Sequence, residues 1–152
     1  MTALSLRRFA IVLLWIYVVQ FIAGMTLNLF VALPASHSGT TGNEYFSRSL
    51  ASLIWALTGL GGPVLFLHAL IGVGLVLGSL VLFIFSCRIE RARWRWASGI
   101  TCFFTIGGLF NGLSFLDYTE DVSSAIMAAC WLVAIGALVF VLVAPPALSV
   151  VD

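Results

Sequence analysis

Four polar side chains fall where an otherwise apolar chain can least tolerate them. Gln20, Asn28, His68 and Asn111 lie inside long hydrophobic runs. An amide or imidazole without a partner in hydrocarbon costs several kcal/mol. Such groups must join helices through hydrogen bonds or face a ligand. His68 has the widest chemistry of the four, because an imidazole donates and accepts hydrogen bonds and also ligates metals. It sits in the stretch from Gly59 to Cys87, just behind a Gly-Gly-Pro break. The other histidine, His37, falls in a Ser- and Gly-rich loop, where a solvated ring is the simple expectation.

What is missing narrows the chemistry further. No Asp, Glu, Lys or Arg interrupts the apolar runs, which argues against a proton relay, an ion-coupled transporter or a charged selectivity ring. No acidic base lies near His68 and no nucleophile motif is present, so nothing points to an enzyme. The cysteines Cys87, Cys102 and Cys130 lack metal-ligand spacing and read as packing thiols.

The elements that position these residues follow from composition. Of the 152 residues, 62% are hydrophobic and 9% charged, and the mean hydropathy is +1.16. That places the chain in the membrane class. The net charge of +1 gives no reason to expect a nucleic-acid partner. Apolar runs long enough to cross a bilayer cover residues 9–33, 63–87, 97–116 and 122–143. The first is too long for the core of a signal peptide and reads as an uncleaved helix. The expected fold is all-α: an integral membrane four-helix bundle forming one domain over residues 1–152. Residues 34–62 form its outer loop. Within that loop, Phe46, Leu50, Leu53, Ile54 and Leu57 recur at helical spacing beside Tyr45 and Trp55, predicting a short interfacial helix between spans one and two. Pro145-Pro146 is expected to stop span four.

Arginine placement predicts the threading. Arg7, Arg8, Arg88, Arg91, Arg93 and Arg95 fall on the side of the termini, and only Arg48 on the other. The positive-inside rule then places both termini in the cytoplasm of a multi-pass cell-membrane protein. Arg88 to Trp96 reads as a basic turn with two aromatic anchors, and Asp117, Glu120 and Asp121 as a short acidic connection.

Counting along the helices brings three of the polar residues together. Asn28 stands five residues before Leu33, His68 five after Pro63 and Asn111 five before Leu116. At 1.5 Å per residue each is ~7–8 Å below the outer boundary. A cluster of Asn28, His68 and Asn111 is therefore expected near the outer leaflet, with Gln20 and Gly24 on the same helix face as Asn28. Close helix approach is expected at Gly74 and Gly78, at Gly108 and Gly112, and along Ser124, Ala128 and Gly136. Phe21, Gly24 and Asn28 also repeat the spacing of Phe104, Gly107 and Asn111, the kind of echo that a duplicated hairpin leaves.

His68 with Ala69, Leu70, Ile71 and Gly72 opens a span that ends near Arg88. This HxxxG layout resembles the haem-ligating helices of membrane b-type cytochromes and, across most of the chain, one four-helix half of haem A synthase. The resemblance implies haem b on His68 and a second histidine opening span four. Ser123, Ser124 and Ala125 stand there instead, so bis-histidine ligation would need His37 or His68 of a second copy.

Three functions follow. One is a non-catalytic membrane subunit or scaffold, in which the polar cluster holds helices together. The second is a haem b- or quinone-binding membrane protein using His68, with Asn28, Asn111 and His37 as further cofactor-binding candidates. The third, less favoured, is a small-solute permease. The partners to expect are the lipid bilayer and either a homo-oligomer or a larger membrane complex.

Overall fold

The computed structural model describes residues 3–34, 36–41, 44–89, 91–118 and 121–143. The expected stop at Pro145-Pro146 and the acidic Glu120 lie outside them. The described chain is all-helical: α1 (Ala3–Phe30), α2 (Tyr45–Leu57), α3 (Pro63–Ser86), α4 (Ala92–Tyr118) and α5 (Asp121–Val143). α1, α3, α4 and α5 are long and apolar enough to cross a membrane. They form the bundle of a multi-pass membrane protein, with α2 across one end.

Helix bounds depart from expectation where charge meets the interface. α4 begins at Ala92, so Arg93, Trp94, Arg95 and Trp96 belong to a helix rather than to a turn. No residue there breaks a helix, and arginine stems can lie along apolar surface while their heads reach water. Of the two expected anchors only Trp96 is exposed, whereas Trp94 is packed in the core. At its far end α4 runs on through Asp117 to Tyr118.

The bundle closes as a ring in the order α1, α3, α4, α5, with α1 opposite α4 and α3 opposite α5. The α4/α5 contact is the most extensive and α1/α5 the least. Small residues explain part of this. Gly108 and Gly112 admit Cys130 and Met127 of α5, and Gly78 receives Leu13 of α1. Gly74 and Gly136, also expected at helix contacts, are exposed with no neighbour within 4 Å of where a Cβ would stand. Ala128 is exposed too. α5 instead buries Cys130, Ala134, Leu138 and Val141, a face offset from that stripe.

Two apolar cores result. At the arginine end Leu6, Ala10 and Leu13 of α1 meet Leu82, Trp94, Leu138 and Val141. At the α2 end Leu27, Trp55, Ala56 and Leu65 form a smaller one. Between them a chain of polar groups crosses the bundle. The Trp131 indole N–H donates to the Tyr17 carbonyl at 3.0 Å. The Tyr17 and Thr105 hydroxyls bond across the α1–α4 diagonal, and Thr105 donates to the Thr101 carbonyl at 2.6 Å.

α2 is amphipathic in the reverse sense of a soluble helix. Phe46, Leu50 and Ile54 face outward, 73%, 58% and 54% exposed, while Ser49 and Ser52 are buried. An outward apolar ridge suits a helix lying in a lipid interface. The serines have a specific acceptor: Ser49 donates to one Asp117 carboxylate oxygen at 3.2 Å and Ser52 to the other. Arg48 secures the same corner, donating to the carbonyls of Gly39 at 3.1 Å and Asp117 at 3.2 Å with its guanidinium over the Tyr118 ring. Gly39 is required here, since its φ is +116° and a Cβ would collide with the Ser52 hydroxyl.

Asp117→Ala strands two buried hydroxyls and should loosen α2 at a cost of about 1–3 kcal/mol. Faster proteolysis within residues 34–62, with the four long helices intact, is the expected sign. Tyr17→Phe should lower stability in a detergent unfolding titration by about 1 kcal/mol, as interhelical hydrogen bonds in membranes typically do.

Candidate functional site

Gln20, Asn28 and His68 line a cavity, whereas Asn111 is not among its lining residues, so the expected cluster does not form. α1 supplies Gln20, Gly24 and Asn28, α3 supplies His68, and Tyr17 and Thr105 form the floor at the upper edge of the larger core. The cavity has a volume of about 410 Å³ and a mostly apolar wall.

His68 pairs with Gln20, whose side-chain nitrogen lies 3.3 Å from Nε2. With Gln20 donating, the imidazole proton stands on Nδ1. The ring lies against Gly24, where a Cβ would come 3.0 Å from Cε1 and 3.5 Å from Nδ1. Gly72 makes room for Gln20 in the same way, a Cβ there standing 3.3 Å from the amide nitrogen. Two glycines on facing helices thus seat the pair between α1 and α3. The pair is incomplete: His68 Nδ1 and Gln20 Oε1 are buried with no protein partner.

The asparagines stand apart from it. Asn111 donates to the Gly107 carbonyl of its own helix at 2.8 Å, and Asn28 is exposed at the cavity edge. Among the described residues no hydrogen bond joins Asn28, His68 and Asn111. The error lies in levelling α1 from Leu33. α1 ends at Phe30, and its residues opposite His68 are Gln20 and Gly24. Asn28 is therefore about 6 Å further along the axis than Gly24. The repeated Phe-Gly-Asn spacing likewise serves different ends: Gly24 seats His68, whereas Gly107 faces α5, where a Cβ would stand 3.4 Å from the Cys130 sulfur.

His37 is not a solvated loop residue. Its ring stacks on Trp55 at 4.3 Å and 13°. Nε2 lies 3.0 Å from the Leu116 carbonyl and Nδ1 2.9 Å from that of Ser38. It ties the loop to the end of α4 and leaves both ring nitrogens facing carbonyls.

These positions do not fit haem b. An axial ligand needs an imidazole nitrogen directed at the iron, but Nε2 of His68 faces Gln20 and the Nδ1 edge lies against Gly24. His37 is committed elsewhere, and span four carries no histidine. Among the described residues no group of three or more His, Cys, Asp or Glu could hold a metal ion. Comparison with known protein families, curated proteins and solved structures gives no match.

Sequence reasoning passed over Tyr17, Thr105, Trp131 and the Ser49-Ser52-Asp117 corner. A signal for the floor was present, since Thr101 and Thr105 are spaced to share a face of one helix and Tyr17 precedes Gln20 by three residues on another. Nothing local marks Asp117 as the acceptor for residues 65 and 68 positions away.

Purified protein incubated with haem should show no shifted or sharpened Soret band relative to free haem in the same detergent. A bis-imidazole spectrum that disappears in His68→Ala would overturn this assignment.

Proposed function

We propose that this chain is a non-catalytic integral membrane protein that binds a small, uncharged amphiphile, with a quinone-type headgroup, in the cavity beside His68. The observation that carries the reading is a cavity of about 410 Å³ with a mostly apolar wall that includes Gln20 and His68. Both residues line the cavity, so their remaining accessible atoms give its mostly apolar wall one polar region, which is the usual make-up of a small-molecule site. Volume supports the same reading. Ligand pockets typically span ~300–1,000 Å³.

The scaffold reading loses the polar cluster that motivated it, since Asn28 and Asn111 do not bond across helices. It keeps one support: Gly74 and Gly136 lie bare on the outer surface, where a further membrane helix could approach closely. A homo-oligomer or larger complex is compatible with binding. A permease finds less support, because a packed core lies below the cavity floor.

Threading follows the arginines: the end bearing Arg7, Arg8, Arg88, Arg91, Arg93 and Arg95 faces the cytoplasm of a cell membrane, and α2 lies on the outer surface. Cysteines introduced at Ser47 and at Arg91 test this in intact cells. A membrane-impermeant thiol reagent should reach the first and not the second.

Binding is tested with the full chain in zwitterionic nanodiscs and a decyl-substituted benzoquinone. Saturable quenching of tryptophan emission is expected, diminished in Trp131→Phe. His68→Leu should weaken binding by about tenfold, the equivalent of ~1.4 kcal/mol. Quenching that rises linearly, as in protein-free partitioning controls, would sink the reading.

A further inference from the structure

The residues that line the cavity and are also exposed lie on a single seam. They are Phe21, Met25 and Asn28 on α1 and Ala128 on α5. Every lining residue contributed by α2, α3 and α4 is buried or half-buried. The α1/α5 pair is also the least extensive contact of the ring. At the lower end of the seam Phe21 and Trp131 stack at 4.8 Å, and the Trp131 indole is bonded to the Tyr17 carbonyl. Beyond that sill, toward α2, the two helices present Gly24 and Met25 on one side and Ser124 and Ala128 on the other to the cavity. The end of the bundle is shut by α2, where Trp55 and Ala56 pack on Leu27 and Leu65 and the Asp117 corner holds the helix down.

From this we infer that the cavity is loaded sideways from the bilayer through the α1/α5 seam. Its ligand is an uncharged, tail-bearing ring of the quinone class, held with the ring at Gln20–His68 and the tail lying out between Met25 and Ala128. The inference rests on the binding reading above and adds the route, the orientation and the charge of the ligand.

Charge follows from the wall. Among the described residues no Asp, Glu, Lys or Arg lines the cavity, so an ionic headgroup would be desolvated there without a counter-charge. A phospholipid headgroup is excluded on that ground. An uncharged ring matches a wall in which Gln20 and His68 are the polar residues beside Tyr17, Phe104 and Trp131, which provide aromatic surface for the ring itself. Orientation follows from the wall. The polar and aromatic residues Gln20, His68, Tyr17 and Trp131 suit the ring, and a tail too long for a space of about 410 Å³ must leave. Among the described residues the seam is the exposed side of the wall.

The test uses the full chain in phosphatidylcholine nanodiscs and two photoreactive decyl-benzoquinones, one with its diazirine next to the ring and one at the tail end. The expected result is ring-proximal adducts on the peptides of Gln20 and His68, with tail adducts on those of Met25 and Ala128 and on lipid. Ala128→Phe narrows the seam and should weaken the tailed quinone by about tenfold, while a tail-less benzoquinone changes by less than about twofold. Tail adducts on α2 or on residues 36–41, with ring adducts in place, would overturn the inference and leave the binding reading standing. Equal weakening of both quinones in Ala128→Phe would do the same. No site-specific ring adduct on the wild-type chain would overturn both.

Discussion

The hydroxyl contact between Tyr17 and Thr105 spans the diagonal of the bundle, joining two helices that are not neighbours in its ring. In lipid the hydrophobic effect gives helices no reason to associate, so position depends on close packing and on hydrogen bonds such as this one. Below it, toward the arginines, large side chains interdigitate into a continuous core. Above it α1 and α4 stay apart, and Gly24, Gly108 and Gly112 line the gap instead of filling it. Cavity and core are thus two sides of one cross-brace. Trp131 extends the brace to α5 and Thr101 anchors it within α4, so the helix opposite and the helix beside are held by one run of polar groups.

Much of this was legible in the sequence and some was not, for identifiable reasons. Helix number and the interfacial character of α2 followed from apolar runs and from Phe46, Leu50 and Ile54 at one helical face, because bilayer thickness imposes those lengths. The importance of His68 was legible too, since one imidazole in an apolar span needs a partner. The identity of that partner was not. Choosing among Gln20, Asn28 and Asn111 requires the axial offset between α1 and α3, and that offset comes from Gly24 and Gly72 admitting His68 and Gln20, a match between helices that no single helix encodes. His37 was misread because composition describes a loop and not what the loop packs against. Its stack on Trp55 and its contact with Leu116 depend on where α4 ends.

α2 shows how a membrane setting reverses a familiar pattern. Serines inside and phenylalanine, leucine and isoleucine outside would be an error in water. Here the inner face meets a carboxylate and the outer face meets lipid, so each side is matched to its surroundings. Asp117 can be buried because two hydroxyls donate to it and because Arg48 lies within the same corner. The cap is therefore held by polar contacts while the transmembrane wall is held mainly by packing. Solvent and lipid conditions that weaken one need not weaken the other.

A shut cap with a seam in the wall decides which concentration governs occupancy. Under the lateral route inferred above, a ligand would be counted per volume of leaflet, not per volume of water. A compound at millimolar level in the membrane half-fills a site whose dissociation constant, referred to that phase, is also millimolar, or about −4 kcal/mol. A few ring contacts and one or two hydrogen bonds at ~1 kcal/mol each reach that figure. A site entered in this way could be shallow in energy and still be occupied about half the time, and small changes in the composition of the leaflet would register directly in that fraction.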